Sequence, residues 1–600
     1  MKKYKNRSEV PKKYKWDLSD FFEDENDFEE SFQICQKQSE KLGEYVGCTK
    51  DAKRLYEFLK LEIETIALFE NLYVYSYLIN DQELGNSKSL ERKNRTEILN
   101  VLLEKNISFF APELLKLTKK EYEELFLEEP KLLEFKHALD VIYRDKEHTL
   151  TENEEKIVSE LTNSMNHFET ISTTLLNSEH NYGKIKLDDG TEEVIATNNY
   201  RKLMRNKNVK IRKKVYKNLN EVISQYSTTS ASLLNSYVGM NNAIAKIRNF
   251  ESSWSQKLYD LNLTDKIFKV LVKAAENNLD VLHKYYKLRC RALGLKKLNM
   301  YDLHLELSNS DKEYTIEEAQ EMVRNSVKVL GENYLEKYEK IIKNRYIDYC
   351  QYKGKCSGGY SFSTLTRNSR ILMSFNHNFD SISTIAHEAG HNIHHQYISE
   401  NNPLQYRETA IIMSEVTSLT NECLLSKYIL ENSNDLEEKK AGLENILRVI
   451  TSNFYDAIRE AKIEQEMYEE VLNGGVITKE FLDNKTYESL EKYLGDSVKL
   501  NDYVKNTWVT RSHYYMNFYL YNYAICICVA INVADKILNG DKDMLDKYEH
   551  FLTLGGDVWP IEAFKVLGVD LEDEEVYLNA IKYLDNLINE YNNILDMEVK

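Results

Sequence analysis

Five prolines and 20 glycines in 600 residues leave few places where a helix is obliged to stop. Average usage would supply about 30 prolines and about 42 glycines. With Leu, Glu and Lys abundant, the chain is predicted to be mostly α, with β structure confined to the few stretches where glycines and polar residues cluster. A formal charge of −18 and a pI near 5.4 argue against nucleic acid or an anionic membrane as the main partner, because both select basic surfaces. The basic start, "MKKYKNRSEVPKKYK", reads as a short solvated terminus. It has no apolar run after its lysines and so does not read as a secretory signal.

No run of 18 apolar residues occurs. The nearest, "YLYNYAICICVAINVA" from Tyr519, is interrupted by Asn522 and Asn532 and suits a buried helix better than a membrane span. The eight cysteines form no CxxC pairs, and a chain of this length does not need disulfides, so a reducing cytoplasm is the expected location.

From Trp16 to about Asn177 the pattern is helical, and residues 1–182 read as an N-terminal helical domain. At Gly183 the texture changes: "GKIKLDDGTEEVI" alternates, turns at Asp189-Gly190 and returns, which predicts a hairpin at 183–195 opening a second domain, 183–600. Helices resume from Tyr200, with Thr315 and Glu318 spaced as a capping box. A second irregular stretch, Cys356–Asp380, carries Gly358-Gly359 and Ile371-Leu372-Met373, and predicts a short sheet. Asp380 is the expected N-cap of a following helix near 381–397. After Pro403 the pattern is helical, with a break at "LGGDVWP" from Leu554 to Pro560.

The helix after Asp380 carries "HEAGHNIHH". Residues four apart on a helix share a face, so His387 and His391 can present two nitrogens to one ion, with Glu388 beside them. Neutral imidazoles suit zinc, and a catalytic site needs one further protein ligand and an open position. His394 shares the face but sits about 4.5 Å further along the axis, too far to complete a tetrahedron with both others, and His395 faces elsewhere. Glu415 is the remaining candidate. It and Glu422 lie two turns apart on one face of a predicted, partly apolar helix, where buried carboxylates need a cation or hydrogen bonds. Glu422 is expected to hold a zinc-binding histidine in its tautomer.

"HEAGHNIHH" followed by "SEVTSLTNECLL" resembles the oligoendopeptidase F family, relatives of thimet oligopeptidase. "KWDLSDFF" at Lys15, "YRDKEHTLTENEEKIVSEL" over residues 143–161, "SGGYSFST" at Ser357 and "FLTLGGDVWPIEAFKVLGVDL" at Phe551 resemble recurring family segments in the same order. The resemblance implies one Zn2+ per chain on His387, His391 and Glu415, with Glu388 as general base in the hydrolysis of internal bonds of short unfolded peptides. It also implies an elongated, bowl-like helical body in two halves around a deep channel. "RSHYYMNFYLYNY" from Arg511 is similar to a family block whose His and Tyr face the zinc. This assigns oxyanion donation to His513 and Tyr521, with Tyr514 next, expected i−7 from Tyr521 on one helical face. Cys526 and Cys528 depart from the small residues usual there. The strand "ILMSF" is expected to offer an exposed edge to an extended peptide. A helical scaffold with a structural HEAGH, and a carboxypeptidase on a related scaffold, are the competing readings; oligomeric state is not specified.

Overall fold

The computed structural model describes residues 4–151, 154–155, 157–158, 167–309 and 312–599. Part of the 143–161 stretch quoted above lies outside the described residues. The described chain is mostly α-helical, and its strands form only two-stranded pairs and one three-stranded sheet. Among the described residues one helix, Leu520–Leu538, is long and apolar enough by composition to cross a membrane, but its apolar window is 83% buried within the protein. All eight cysteines are free.

The residues fall into two compact units, each built from separated stretches, which a linear cut at Tyr182 does not express. The first comprises Met1–Thr149, Lys312–Tyr428 and Lys536–Gly568. Its helices Glu25–Leu42, Ala52–Gln82 and Ser87–Ile107 are started by Asp24, Asp51 and Asn86, whose side chains accept from free backbone N–H groups of the first turn. They bury Phe28, Phe58, Leu72 and Leu103 in a core that extends to Leu372, with Tyr360 and Phe362 packed on its margin. Tyr73 and Tyr77 meet the Phe362 ring edge-on, so the helical layer backs the small sheet.

That sheet has Arg370–Leu372 at its centre, parallel to Ile347–Asp348 and antiparallel to Tyr360–Phe362. The start of the expected "ILMSF" strand, Ile371–Leu372, is therefore buried and paired on both sides, and of the two edge strands Tyr360–Phe362 is the half-buried one. The loop between the outer strands is pinned by Lys355. Its ammonium, out of contact with solvent, donates to the carbonyls of Asp348, Cys350 and Met373 and pairs with the Asp348 carboxylate, the compensation a buried charge requires. Thr315 and Glu318 form the expected capping box ahead of Ile316–Val327.

The second unit comprises Leu150–Asp311, Ile429–Asp535 and Val569–Lys600. Val209–Ile247, 39 residues long, runs through it and packs on Ala457–Leu472. The expected hairpin is present: Lys184–Lys186 pairs antiparallel with Glu192–Val194. Its turn uses Gly190 at φ 87°, a left-handed backbone that glycine adopts without strain.

Candidate metal centre

The helix that carries the histidines runs Phe379–Asn401. Its N-cap is Asn378, whose side chain accepts from the Ser381 amide and hydroxyl, while Asp380 lies inside the first turn. Asn and Asp cap equally well, and the Asn376 amide, donating to Ser381 Oγ, closes the turn around Asn378.

Gly390 decides what can approach this helix. A Cβ there would stand 2.6 Å from Ser418 Cα, 2.9 Å from Ser418 N and 2.9 Å from Thr417 O. Helix Ile411–Asn432 therefore lies against the histidine helix almost backbone to backbone. Asn421, fully buried, locks the contact: its amide donates to Ala386 O, and its oxygen accepts from Tyr334.

This packing turns the second helix's acids and hydroxyls toward the histidines. Glu422 Oε1 is 2.8 Å from His387 Nδ1, and Ser383 donates to Glu422 Oε2 at 2.6 Å. A carboxylate only accepts, so His387 Nδ1 carries a proton toward Glu422, and Nε2 is the atom left to bind a metal in place of its own proton. Ser414 Oγ holds His391 Nδ1 at 2.9 Å, a partner the sequence reading did not identify. The two Nε2 atoms face each other at 3.3 Å. Glu415 completes the group, with Oε2 3.8 Å from His387 Nε2 and Oε1 3.9 Å from His391 Nε2.

These distances suit a zinc ion. Two ligands at about 2.0–2.1 Å from a tetrahedral ion stand about 3.3 Å apart, and they can never be more than about 4.2 Å apart. The nitrogen pair sits at the first value, and each Glu415 oxygen lies within the second of one of the two nitrogens. One donor atom from each of His387, His391 and Glu415 lies within 4.8 Å of the other two.

The electrostatics point the same way. Burial works against charge on His387, but its hydrogen bond to Glu422, with the charges of Glu422, Glu388 and Glu415, outweighs this and lifts its pKa to about 9. Burial pushes Glu388 up to about 7 and raises Glu415. Burial, then the neighbouring His387, holds His391 well below its ordinary value. The carboxylates thus draw positive charge to His387, while burial keeps His391 neutral with a nitrogen able to bind a metal.

The group opens on a cavity of about 630 Å3, walled by Gly359–Ser361, Ser363–Leu365, helices Phe379–Asn401 and Ile411–Asn432, and Arg407–Thr409. Gly359 lets the edge strand come close: a Cβ there would meet Thr384 Cγ2 at 3.1 Å and Glu388 Oε1 at 3.5 Å.

Of the other expected residues, His394 is buried face-on against Phe551 and its Nε2 finds no partner among the described residues. His395 donates from Nε2 to Thr364 O at 2.9 Å. His513, Tyr514 and Tyr521 lie in the second unit. Tyr514 is in the 3-10 turn Ser512–Tyr515 and donates to Glu460, whereas Tyr521 is in helix Leu520–Leu538. The two do not share a helix, because Asn517 and Phe518, at φ 46° and 59°, break the phase between them. Tyr521 is 1% exposed, edge-on to Trp254 and Phe268, with no partner for its hydroxyl among the described residues. The half-exposed tyrosines of this segment are Tyr519 and Tyr523, which pack on each other and on His513. Tyr523 Oη is 3.3 Å from His513 Nε2.

The family model described as Peptidase family M3 matches residues 202–583, and that of Oligopeptidase F matches residues 113–182. Among curated relatives, Oligopeptidase PepF of Bacillus subtilis is 28% identical over 597 residues, covering 99% of this chain and 89% of the relative. A crystal structure from Chlamydophila abortus matches with a TM-score of 0.89 at 25% identity, over 98% of this chain and 100% of that one. That of oligoendopeptidase-F from Enterococcus faecium matches in fold with a TM-score of 0.74 at 24% identity, over 95% and 99%.

Proposed function

Because the chain belongs to peptidase family M3 and is a metallo-oligopeptidase, we propose that it is a zinc-dependent endopeptidase acting on internal bonds of short unfolded peptides in the cytoplasm. The observation that carries this reading is the convergence of His387 Nε2, His391 Nε2 and the Glu415 carboxylate beside Glu388 at one end of a cavity.

His387, His391 and Glu415 would hold one zinc ion per chain. When bound there, zinc supplies Lewis acidity toward the scissile carbonyl and toward water. Glu388 is not in the ligand group and borders the cavity, so its carboxylate accepts the proton of the attacking water and returns it to the leaving amide nitrogen. Glu422 and Ser414 fix the two imidazole rings so that both lone pairs aim at one point. Strand Tyr360–Phe362 offers edge amides and carbonyls to an extended peptide, which gives affinity with little demand on side chains. His513 keeps the donor role that the resemblance implies. Its tyrosine partner is better sought at Tyr523 than at Tyr521, on the burial described above.

Mass mapping of products from a decapeptide blocked at both ends tests the reading. Internal cleavage that stops on chelation and returns with zinc is expected. Cleavage only of peptides with a free C-terminus would make the protein a carboxypeptidase instead, and a metal-free protein indifferent to chelator would leave only the scaffold reading.

A further inference from the structure

The connector between the two ligand helices is built more firmly than a loop needs to be. Pro403 follows the end of the first helix, Leu404–Tyr406 makes one 3-10 turn, and Arg407 follows. The "LGGDVWP" stretch closes over this turn. Gly556 donates to Tyr406 O at 2.9 Å, and Cβ atoms on Gly555 and Gly556 would stand 2.2 Å from Tyr406 O and 2.6 Å from Glu408 O. Two glycines thus clamp the backbone on either side of Arg407.

The side chain is equally constrained. Arg407 Nε donates to Asn402 O at 3.0 Å and Nη1 to Leu365 O at 3.1 Å, while Nη2 has no partner and the guanidinium no ion pair among the described residues. Arg407 nevertheless lines the same cavity as Glu388. Its neighbour Glu408 also borders the cavity and lies beside Glu70, which accepts from Leu365 N at 2.8 Å, and it makes no ion pair with Arg407. A guanidinium held by scaffold carbonyls, with an amino group left over at a substrate cavity, matches a carboxylate.

On the reading that this cavity binds peptides, we propose that Arg407 anchors a substrate carboxylate away from the scissile bond, so that the enzyme prefers peptides carrying one there. Arg407 holds the carbonyls of Asn402 and Leu365, and Thr364, next to Leu365, accepts from His395, so Asn402 and His395 bracket it along the helix that carries His391. At 1.5 Å rise per residue these lie about 16 Å and about 6 Å along the axis from His391, or roughly two to five residues of extended peptide. Both a C-terminal carboxylate and an acidic side chain satisfy this chemistry.

The test uses acetylated alanine heptapeptides: the free acid against the amide, and amides with one Glu against one Gln at each position. Binding is measured by calorimetry in zinc-loaded Glu388→Gln protein, so the outcome does not depend on whether the wild-type protein cleaves peptides. The acidic member of at least one pair is expected to bind about 10- to 100-fold tighter, the range for a hydrogen bond between charged groups. That ratio should fall toward one in Arg407→Gln and be intermediate in Arg407→Lys, which keeps the charge but loses the fork. Because the ratio is taken within each variant, a general loss of affinity cannot imitate it, and Arg407→Lys reads the effect if Arg407→Gln does not fold. Selectivity in the free-acid pair identifies the C-terminus as the source, and selectivity in a Glu/Gln pair identifies a side chain. A ratio near one in every pair, or one unchanged by both substitutions, overturns the proposal. Wild-type cleavage of the neutral peptides, read separately, tests the peptidase reading.

Discussion

Replacing Gly390 with Ala should separate the three proposed zinc-binding side chains without touching any of them. The new methyl would lie 2.6 Å from Ser418 Cα, whereas carbon atoms in contact sit about 3.5–4.0 Å apart, so the two helices must part by about 1 Å. The obstacles are all backbone atoms of the facing helix, so no side-chain rotation relieves the clash. Glu415 is one turn from Ser418 and already 3.8 and 3.9 Å from the two Nε2 atoms. A shift of about 1 Å carries it past the limit of about 4.2 Å for two ligands of one zinc ion. Overpacking of this kind costs about 1–3 kcal/mol, so the protein should fold with a lowered melting temperature and bind zinc at least about 100-fold more weakly. Competition titration against a chromophoric chelator measures the affinity. Gly239→Ala is the control, since its Cβ would meet only Val471 Cγ1, at 3.8 Å. Wild-type zinc affinity in Gly390→Ala would refute the claim that close helix packing places the third ligand.

Glu388→Gln should keep stoichiometric zinc while peptide turnover falls by about 10²–10⁴; near-normal turnover would remove it as the base. Ser414→Ala and Glu422→Gln should each weaken zinc about 10- to 100-fold, because each loosens one imidazole, and unchanged zinc titrations in both would deny them that role. Tyr523→Phe should lower kcat by about 10²–10³ with zinc retained, while Tyr521→Phe, whose hydroxyl has no partner among the described residues, should stay close to wild type. The reverse order in steady-state kinetics would restore Tyr521 as the donor.

The parts of this fold legible in the sequence are those fixed by local chemistry. The capping box at Thr315 and the Asp189-Gly190 hairpin are decided within a few residues, and both appear where the pattern puts them. The i, i+4 histidines likewise need only a helix to meet. What could not be read depends on distant chain. Gly390 looks like a weak helix former until Ser418 is set against it. "ILMSF" looks like an edge because its second partner, Ile347–Asp348, lies more than 20 residues upstream and is only two residues long. The tyrosine phase from 514 to 521 holds only on a continuous helix, and two left-handed residues, neither of them glycine, break it. Ser414 gave one signal: a hydroxyl directly before Glu415 can face a histidine on the neighbouring helix.

Side-by-side zinc titration of Glu415→Ala and His394→Ala tests the central assignment most directly. Glu415 reaches the histidine pair from a separate helix, whereas His394 is buried against Phe551 one turn beyond His391. Glu415→Ala should lose most zinc affinity, and His394→Ala should keep bound zinc with at most the ~10- to 100-fold loss of a residue that only supports a ligand. A zinc-replete Glu415→Ala beside a zinc-free His394→Ala would contradict the account.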